Sequence, residues 1–307
     1  MPIRVLPPEL AVKIAAGEVV ERPASVVKEL VENSIDAGSS QITVEIKAGG
    51  VEQIKVIDDG HGIPSEEVAT AFQRHATSKI DNQEQLGAIA TLGFRGEALP
   101  SIAAVSNAVI TTRQPLNQGG FRMELHWGKE AVSGTWGCPS GTAIEISELF
   151  GNLPGRRKFL RSASAETSRI QELVSRYALV FPGIRFQLAV DGKISFTSPG
   201  NGLPREALLA VYGPQAATAM LDVHGEDAES GYQVDGFAGA PSLTRANRTY
   251  MTFFVNRRWV QSRMLSFAVE EAYTSLLQMK RYPLAALNIS IPSVSYTHLT
   301  LPTILLV

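Results

Sequence analysis

Arg22-Pro23-Ala24-Ser25-Val26-Val27-Lys28-Glu29-Leu30-Val31-Glu32-Asn33-Ser34-Ile35-Asp36-Ala37-Gly38 runs directly into Gln41-Ile42-Thr43-Val44-Glu45-Ile46, and this pair of segments decides the fold. Pro23 suits a first helical turn, Val26, Val27, Leu30 and Val31 form an apolar stripe, and Gly38 suits a stop, so 24–37 reads as a helix. Ile42, Val44 and Ile46 alternate with polar residues, Gly49-Gly50 turns the chain, and Ile54 and Val56 resume the alternation. A helix followed at once by an antiparallel hairpin argues against a purely parallel sheet.

Outward from this core, 64–74 reads as a further helix and 165–180 as a long one ending before Phe181-Pro182-Gly183. Gly87 to Gly96 is punctuated by glycine and is expected to be mobile. A second unit is expected from about residue 201, giving domains at 1–200 and 201–292. It carries a short helix to Tyr212, strands near 232–237 and 250–255, a helix over 263–277 and a strand over 283–291. That last order, strand-helix-strand, implies a right-handed crossover if the strands are parallel.

Composition sets the outer bounds. The chain has 307 residues, 44% hydrophobic and 19% charged, which suits about two soluble domains. No apolar run is long enough to span a bilayer, Met1-Pro2-Ile3-Arg4 opens without an apolar signal core, and a cytoplasmic location is expected. Cys138 is the only cysteine, so neither an intrachain disulfide nor a paired-cysteine zinc site is possible. A net charge of −2 means that nucleic-acid contact has to come from a local basic patch.

No G-x-x-x-x-G-K-[ST] occurs, and Gly60 and Gly62 meet Ser65 where a dinucleotide fingerprint needs a third glycine. Glu29 and Asn33, four apart on the helix, share a face away from the apolar stripe. A carboxylate and an amide there suit a Mg²⁺-bound triphosphate and its water, though a solvated helix face has the same pattern. Asp58-Asp59-Gly60-His61-Gly62 follows a strand, so Asp58 suits an adenine amino group; alone the segment is equally a turn. Gly93-Phe94-Arg95-Gly96-Glu97-Ala98-Leu99 opens a helix, where backbone N–H groups suit phosphate, and Thr77-Ser78-Lys79 adds hydroxyls and an ammonium. Gly141-Thr142 precedes an alternating strand, 143–146. The five histidines show no ligand spacing.

Ile14 to Pro23, Glu29 to Ser34, Asp58 to Gly62, Arg74 to Lys79 and Gly93 to Leu99 together resemble the N-terminal ATPase region of the MutL family, in order and spacing, over roughly 1–292. That family lies within the GHKL ATPases, with gyrase, the large heat-shock chaperones and histidine kinases. The resemblance implies an α+β fold, a GHKL mixed sheet backed by helices followed by a smaller ribosomal S5-type domain. It implies slow ATP hydrolysis in DNA mismatch repair. Glu29 is then the general base and Asn33 the Mg²⁺ ligand. Asp58 reads adenine beside Thr142, and Gly62 shapes the pocket wall. Thr77, Ser78, Lys79 and the lid Leu92, Gly93, Phe94, Arg95, Gly96, Glu97, Ala98 and Leu99 cover the phosphates. Implied partners are DNA, a mismatch-recognition protein, an incision endonuclease or helicase, and a second copy of the chain on ATP binding.

Two departures stand out. Gly151 and Gly155 replace an aromatic and an alanine common in the family. Beyond Pro292 the family's His-Pro-x-Lys is missing and 293–307 contains no lysine, so this tail reads as non-native and hydrolysis is expected to suffer. Arg156, Arg157, Lys158 and Arg161, with Arg169 and Arg176 on the next helix, read either as a solvated face or as a contact to DNA backbone. The competing class is another GHKL enzyme, such as a type II topoisomerase ATPase subunit.

Overall fold

The computed structural model describes residues 16–17, 19–79, 91–93 and 96–292; the expectations for Phe94, Arg95 and the tail 293–307 lie outside them. The described residues form two units, the first from those up to 79, 91–175 and 183–201, the second from 176–182 and 202–292.

In the first unit, α1 (Pro23–Asp36) starts with Pro23 at its first turn and buries Val26, Val27, Leu30 and Val31. Strands β1 (Gln41–Lys47) and β2 (Gln53–Asp58) pair antiparallel with Ile46 opposite Ile54 and Val44 opposite Val56, placing the alternating apolar residues in the core. The helix expected over 64–74 shrinks to one turn, α2 (Val68–Ala71). Val68 is its only buried residue, so there is no stripe to hold a longer helix, and His75 turns left-handed with φ 64°. After α3 (Ala98–Ala104) come β3 (Asn107–Arg113), β4 (Gly120–His126), β5 (Lys129–Trp136) and β6 (Gly141–Ser147). Next are α4 (Pro154–Lys158), α5 (Ala163–Val180), β7 (Arg185–Val190) and β8 (Lys193–Thr197). The eight strands make one sheet in the order β5-β4-β3-β6-β2-β1-β7-β8, in which β1 and β7 alone run parallel.

The second unit holds the end of α5 and then α6 (Pro204–Ala219), which continues past the expected end at Tyr212 through a break where Gly213 has φ 79° and Pro214 follows. Strands β9 (Met220–Asp227), β10 (Tyr232–Gly239), β11 (Thr244–Arg245), β12 (Met251–Val255) and β13 (Arg258–Val260) precede α7 (Arg263–Ala272). Five residues expected in α7 are not helical, since Ser275 takes φ 70° shortly after its end. Strands β14 (Tyr282–Pro283) and β15 (Ala285–Ser290) follow, and the five-stranded sheet runs β13-β12-β15-β10-β9. Strands β12 and β15, joined through α7, are parallel, as a strand-helix-strand unit requires. Leu208, Ala216, Ala217, Met220, Phe237 and Leu284 form one apolar cluster, and Met251, Phe253, Ala285 and Leu287 another that takes in Leu265 and Val269 of α7.

The Gly49-Gly50 turn has a packing reason as well as a conformational one. Gly49 sits at φ 68°, and a Cβ on it would stand 2.6 Å from the carbonyl oxygen of Ala163, at the start of α5. Gly38 has a similar φ of 71° with open space around it. Gly38→Ala is therefore expected to cost only left-handed strain, about 1–2 kcal/mol. Gly49→Ala adds a backbone clash and is expected to cost clearly more in urea unfolding; equal losses would remove the packing argument.

Candidate nucleotide site

The carboxyl end of β2 carries Asp58, which lies opposite Ile42 of β1 on one side and Thr142 of β6 on the other. Thr142 in turn pairs with Thr112 of β3, so three adjacent strands bring Asp58, Thr142 and Thr112 to one level. Oδ1 of Asp58 accepts from the Gly60 N–H (3.0 Å) and the Thr142 N–H (3.2 Å), and Oδ2 accepts from the Ser34 hydroxyl (2.8 Å). Burial pushes this carboxyl up, and the bonds from Ser34, Gly60 and Thr142 only partly oppose it. A half-buried acceptor oriented by three donors is suited to receive one more N–H from a flat heteroaromatic amine. The hydroxyls of Thr112 and Thr142 lie 3.0 Å apart, and Thr112 also receives the Ile63 N–H at 2.9 Å, tying the segment after Gly62 to β3.

Asp59, its neighbour, has another task. Its carboxylate accepts from the Ser40 and Gln41 N–H groups (2.8 and 2.9 Å) and from the Ser40 hydroxyl, closing the start of β1. Burial pushes Asp59 upward, but these bonds outweigh it and hold the group below the usual carboxylate range. At Gly62 the main chain of Arg113 fills the place where a side chain would stand, which makes Gly62 part of the wall.

Glu29 and Asn33 lie on one face of α1, as their spacing requires. Lys28 Nζ sits 3.1 Å from Glu29 and 2.9 Å from Glu32. Partial desolvation would lower the Lys28 pKa, but the carboxylates of Glu32 and Glu29 outweigh it and raise it. Lys79 Nζ reaches Asn33 Oδ1 at 2.9 Å and Asp36 Oδ2 at 2.6 Å. Leu92 and Gly93 donate their N–H groups to the same Asp36 carboxylate. Thr77 and Ser78 are exposed, with Thr77 Oγ1 accepting from the Lys79 N–H at 3.1 Å. Gly96 accepts from the His75 N–H at 3.1 Å, Glu97 lies 3.6 Å from His75, and Ala98 and Leu99 open α3.

Three residues at this site went unread in the sequence. Asp36 lies three positions beyond Asn33, so the same helical spacing that pairs Glu29 with Asn33 pointed to it. Ser34 closes the Glu29 to Ser34 segment but, like Thr112, was given no role, because a buried hydroxyl in a helix or strand looks like any packed small residue. Among the described residues no group of three or more His, Cys, Asp and Glu is placed to hold a metal. Asn33 as a single oxygen ligand suits Mg²⁺ nonetheless, since that ion is commonly held by one or two protein oxygens together with substrate phosphates.

The basic cluster divides. Arg157, Lys158 and Arg161 are exposed, as is Phe159 among them. Arg156 bonds the Gly17 carbonyl and lies over the Phe150 ring, Arg169 is half-buried, and Arg176 stacks over Trp259 with its guanidinium 4.0 Å from the ring centre. Among the described residues no helix is long and apolar enough to cross a membrane.

Residues 21–148 match the family described as histidine kinase-, DNA gyrase B- and HSP90-like ATPase, and the mixed eight-stranded sheet belongs to that class. Residues 208–296 match the family described as DNA mismatch repair protein, C-terminal domain, which separates the chain from the topoisomerase alternative. The chain is 47% identical over 294 residues to the DNA mismatch repair protein MutL of Desulforamulus reducens, covering 94% of this chain and 45% of that relative. It is also 47% identical to the MutL of Heliobacterium modesticaldum, over 91% of this chain and 42% of that relative. Of solved structures, the Aquifex aeolicus MutL ATPase domain complexed with ADP superposes with TM-score 0.65 at 26% identity, covering 94% of this chain and 99% of that one. The chain belongs to the MutL family and corresponds to its N-terminal ATPase region. It spans less than half the length of these full-length relatives.

The raised Asp58 carboxyl has a stability consequence. The folded state holds a proton that the unfolded chain releases, so the ionised carboxylate costs stability above the folded pKa, and the cost disappears below the unfolded pKa. Asp58→Asn is expected to melt higher than the wild type near neutral pH, with the gap narrowing as pH falls toward about 4. Thermal unfolding across that range checks it; a variant that melts lower at neutral pH would show that the charge itself is needed for folding.

Proposed function

We propose that this region binds ATP with Mg²⁺, hydrolyses it slowly, and uses the nucleotide as the switch of a DNA mismatch-repair protein. One observation carries the reading. Lys79 and the Leu92–Gly93 amides, all expected at the phosphates, converge with Asn33 on one face of α1, while Asp58 faces Thr142 at the sheet end. That a solved relative of 26% identity is a MutL ATPase domain complexed with ADP supports it.

The division of labour follows from chemistry. Asp58 accepts from the adenine amino group beside Thr142, which orients the base. Lys79 and the loop N–H groups receive phosphate oxygens, as charge-assisted donors do. Asn33 offers its amide oxygen to Mg²⁺, which when bound neutralises charge on the phosphates. Glu29 takes the proton of the attacking water, with Lys28 beside it orienting the carboxylate.

In this reading ATP binding promotes a homodimer that couples a mismatch-recognition protein to an incision endonuclease or helicase, while Arg157, Lys158 and Arg161 contact DNA backbone. Arg156, Arg169 and Arg176 contribute less, since Arg156 and Arg176 already have partners within the chain and Arg169 is half-buried.

Glu29→Ala is expected to leave ATP affinity intact and to slow hydrolysis by roughly 10²- to 10⁴-fold, the usual loss for a missing general base. Asp58→Ala is expected to lose nucleotide binding, measured by calorimetry; wild-type affinity in that variant would defeat the adenine assignment. Changing Arg157, Lys158 and Arg161 together to Glu is expected to abolish retention on duplex or single-stranded DNA at low salt without touching ATP binding. Retention that survives would make the cluster a solvated face.

A further inference from the structure

Asp36 has no part in the reading above, yet it holds the donors that the reading assigns to phosphate. Its side chain is 8% exposed. Oδ2 accepts from Lys79 Nζ at 2.6 Å and from the Gly93 N–H at 3.1 Å, and Oδ1 accepts from the Leu92 N–H at 2.9 Å. Lys79 gives a second bond to Asn33 Oδ1 at 2.9 Å, so the amide oxygen expected at Mg²⁺ is engaged by the same ammonium. A Cβ on Gly93 would stand 3.3 Å from Lys79 Nζ and 3.9 Å from Asp36 Oδ2, so the loop backbone approaches this carboxylate closely. An ammonium and two consecutive backbone N–H groups converging on one anion form a donor set suited to phosphate oxygens.

We propose that Asp36 is a positioning residue that competes with the terminal phosphates: without nucleotide its carboxylate holds Lys79 and the Leu92–Gly93 amides, and a triphosphate binds by taking those donors from it. The inference rests on the ATP-binding reading. Its physical basis is exclusion. Leu92 and Gly93 each have a single N–H, so the carboxylate and a phosphate oxygen cannot both hold those amides at full strength, and two anions at close range in a partly dry pocket repel. A nucleotide with β- and γ-phosphates has the charge and the oxygens to win the donors. A monophosphate has no β- or γ-phosphate with which to take them. Release of Lys79 also frees the Asn33 oxygen, so one exchange prepares both the phosphate and the metal ligands. Affinity for a triphosphate is then the intrinsic affinity reduced by the fraction of molecules in which the donors are free.

Asp36→Asn keeps the shape and removes the charge. Two readouts compare it with the wild-type chain. In hydrogen exchange without nucleotide, the peptide containing Leu92 and Gly93 is expected to exchange about tenfold faster or more in the variant, as expected when a carboxylate no longer protects those amides. In calorimetry, a non-hydrolysable ATP analogue is expected to bind the variant several-fold more tightly, with AMP affinity the same in both proteins. Unchanged or weaker binding of the analogue overturns the proposal, as does unchanged exchange at Leu92 and Gly93. A wild type that binds neither nucleotide overturns the ATP reading itself and the inference with it. If the variant does not fold, amide NMR of the wild type decides. The Leu92 and Gly93 resonances must shift with the ATP analogue and stay in place with AMP, and any other pattern overturns the competition.

Discussion

Val26, Val27, Leu30 and Val31 are each no more than 2% exposed, and their burial fixes the rotation of α1 about its own axis. Once that stripe is buried, the 3.6-residue period leaves Glu29, Asn33 and Asp36 on a shared face, with no freedom to choose another. Ser34 is carried inward toward Asp58 by the same rotation, and its hydroxyl meets the carboxylate across 24 residues of sequence. The pocket is thus set by apolar packing beneath it. A change in the stripe that rolled the helix by a fraction of a turn would disperse the polar groups without altering any of them.

The electrostatics are divided between neighbours. Asp58 and Asp59 are adjacent in sequence and shifted in opposite directions: burial dominates Asp58, whereas donors from Ser40 and Gln41 dominate Asp59. One half-buried carboxylate is left with acceptor capacity, and the other is consumed in starting a strand. Glu32 and Glu29 also raise the pKa of the part-exposed Lys28 by more than its partial desolvation lowers it. Groups of identical chemistry take different work because the backbone around them differs.

The helix and the hairpin were legible because local periodicity reports directly on a buried stripe, and spacing alone put Glu29 and Asn33 on one face; the roles expected of Glu29, Asn33, Asp58 and Thr142 came from the family resemblance of whole segments, not from periodicity. Strand β5 was not, since every residue from Lys129 to Trp136 is exposed and no alternation marks an edge strand that buries nothing. The helix read over 64–74 had composition in its favour but only Val68 to anchor it. Asp36 was within reach of the spacing rule, but its role depends on Lys79 and Leu92, 43 and 56 positions away, and such pairings leave no trace in a local window.

The pairing of β1 with β7 sets the order in which this sheet can be completed during synthesis. Gln41 pairs with Arg185 and Ile46 with Val190, so one side of the first hairpin stays open until residue 190 has left the ribosome. Its other side waits for β6, which ends at Ser147. At elongation rates of roughly 5–20 residues per second that interval is on the order of ten seconds, during which an apolar hairpin with two unpaired edges has only α1 to cover it. A nascent chain in that condition is a natural client for holding factors at the ribosome exit.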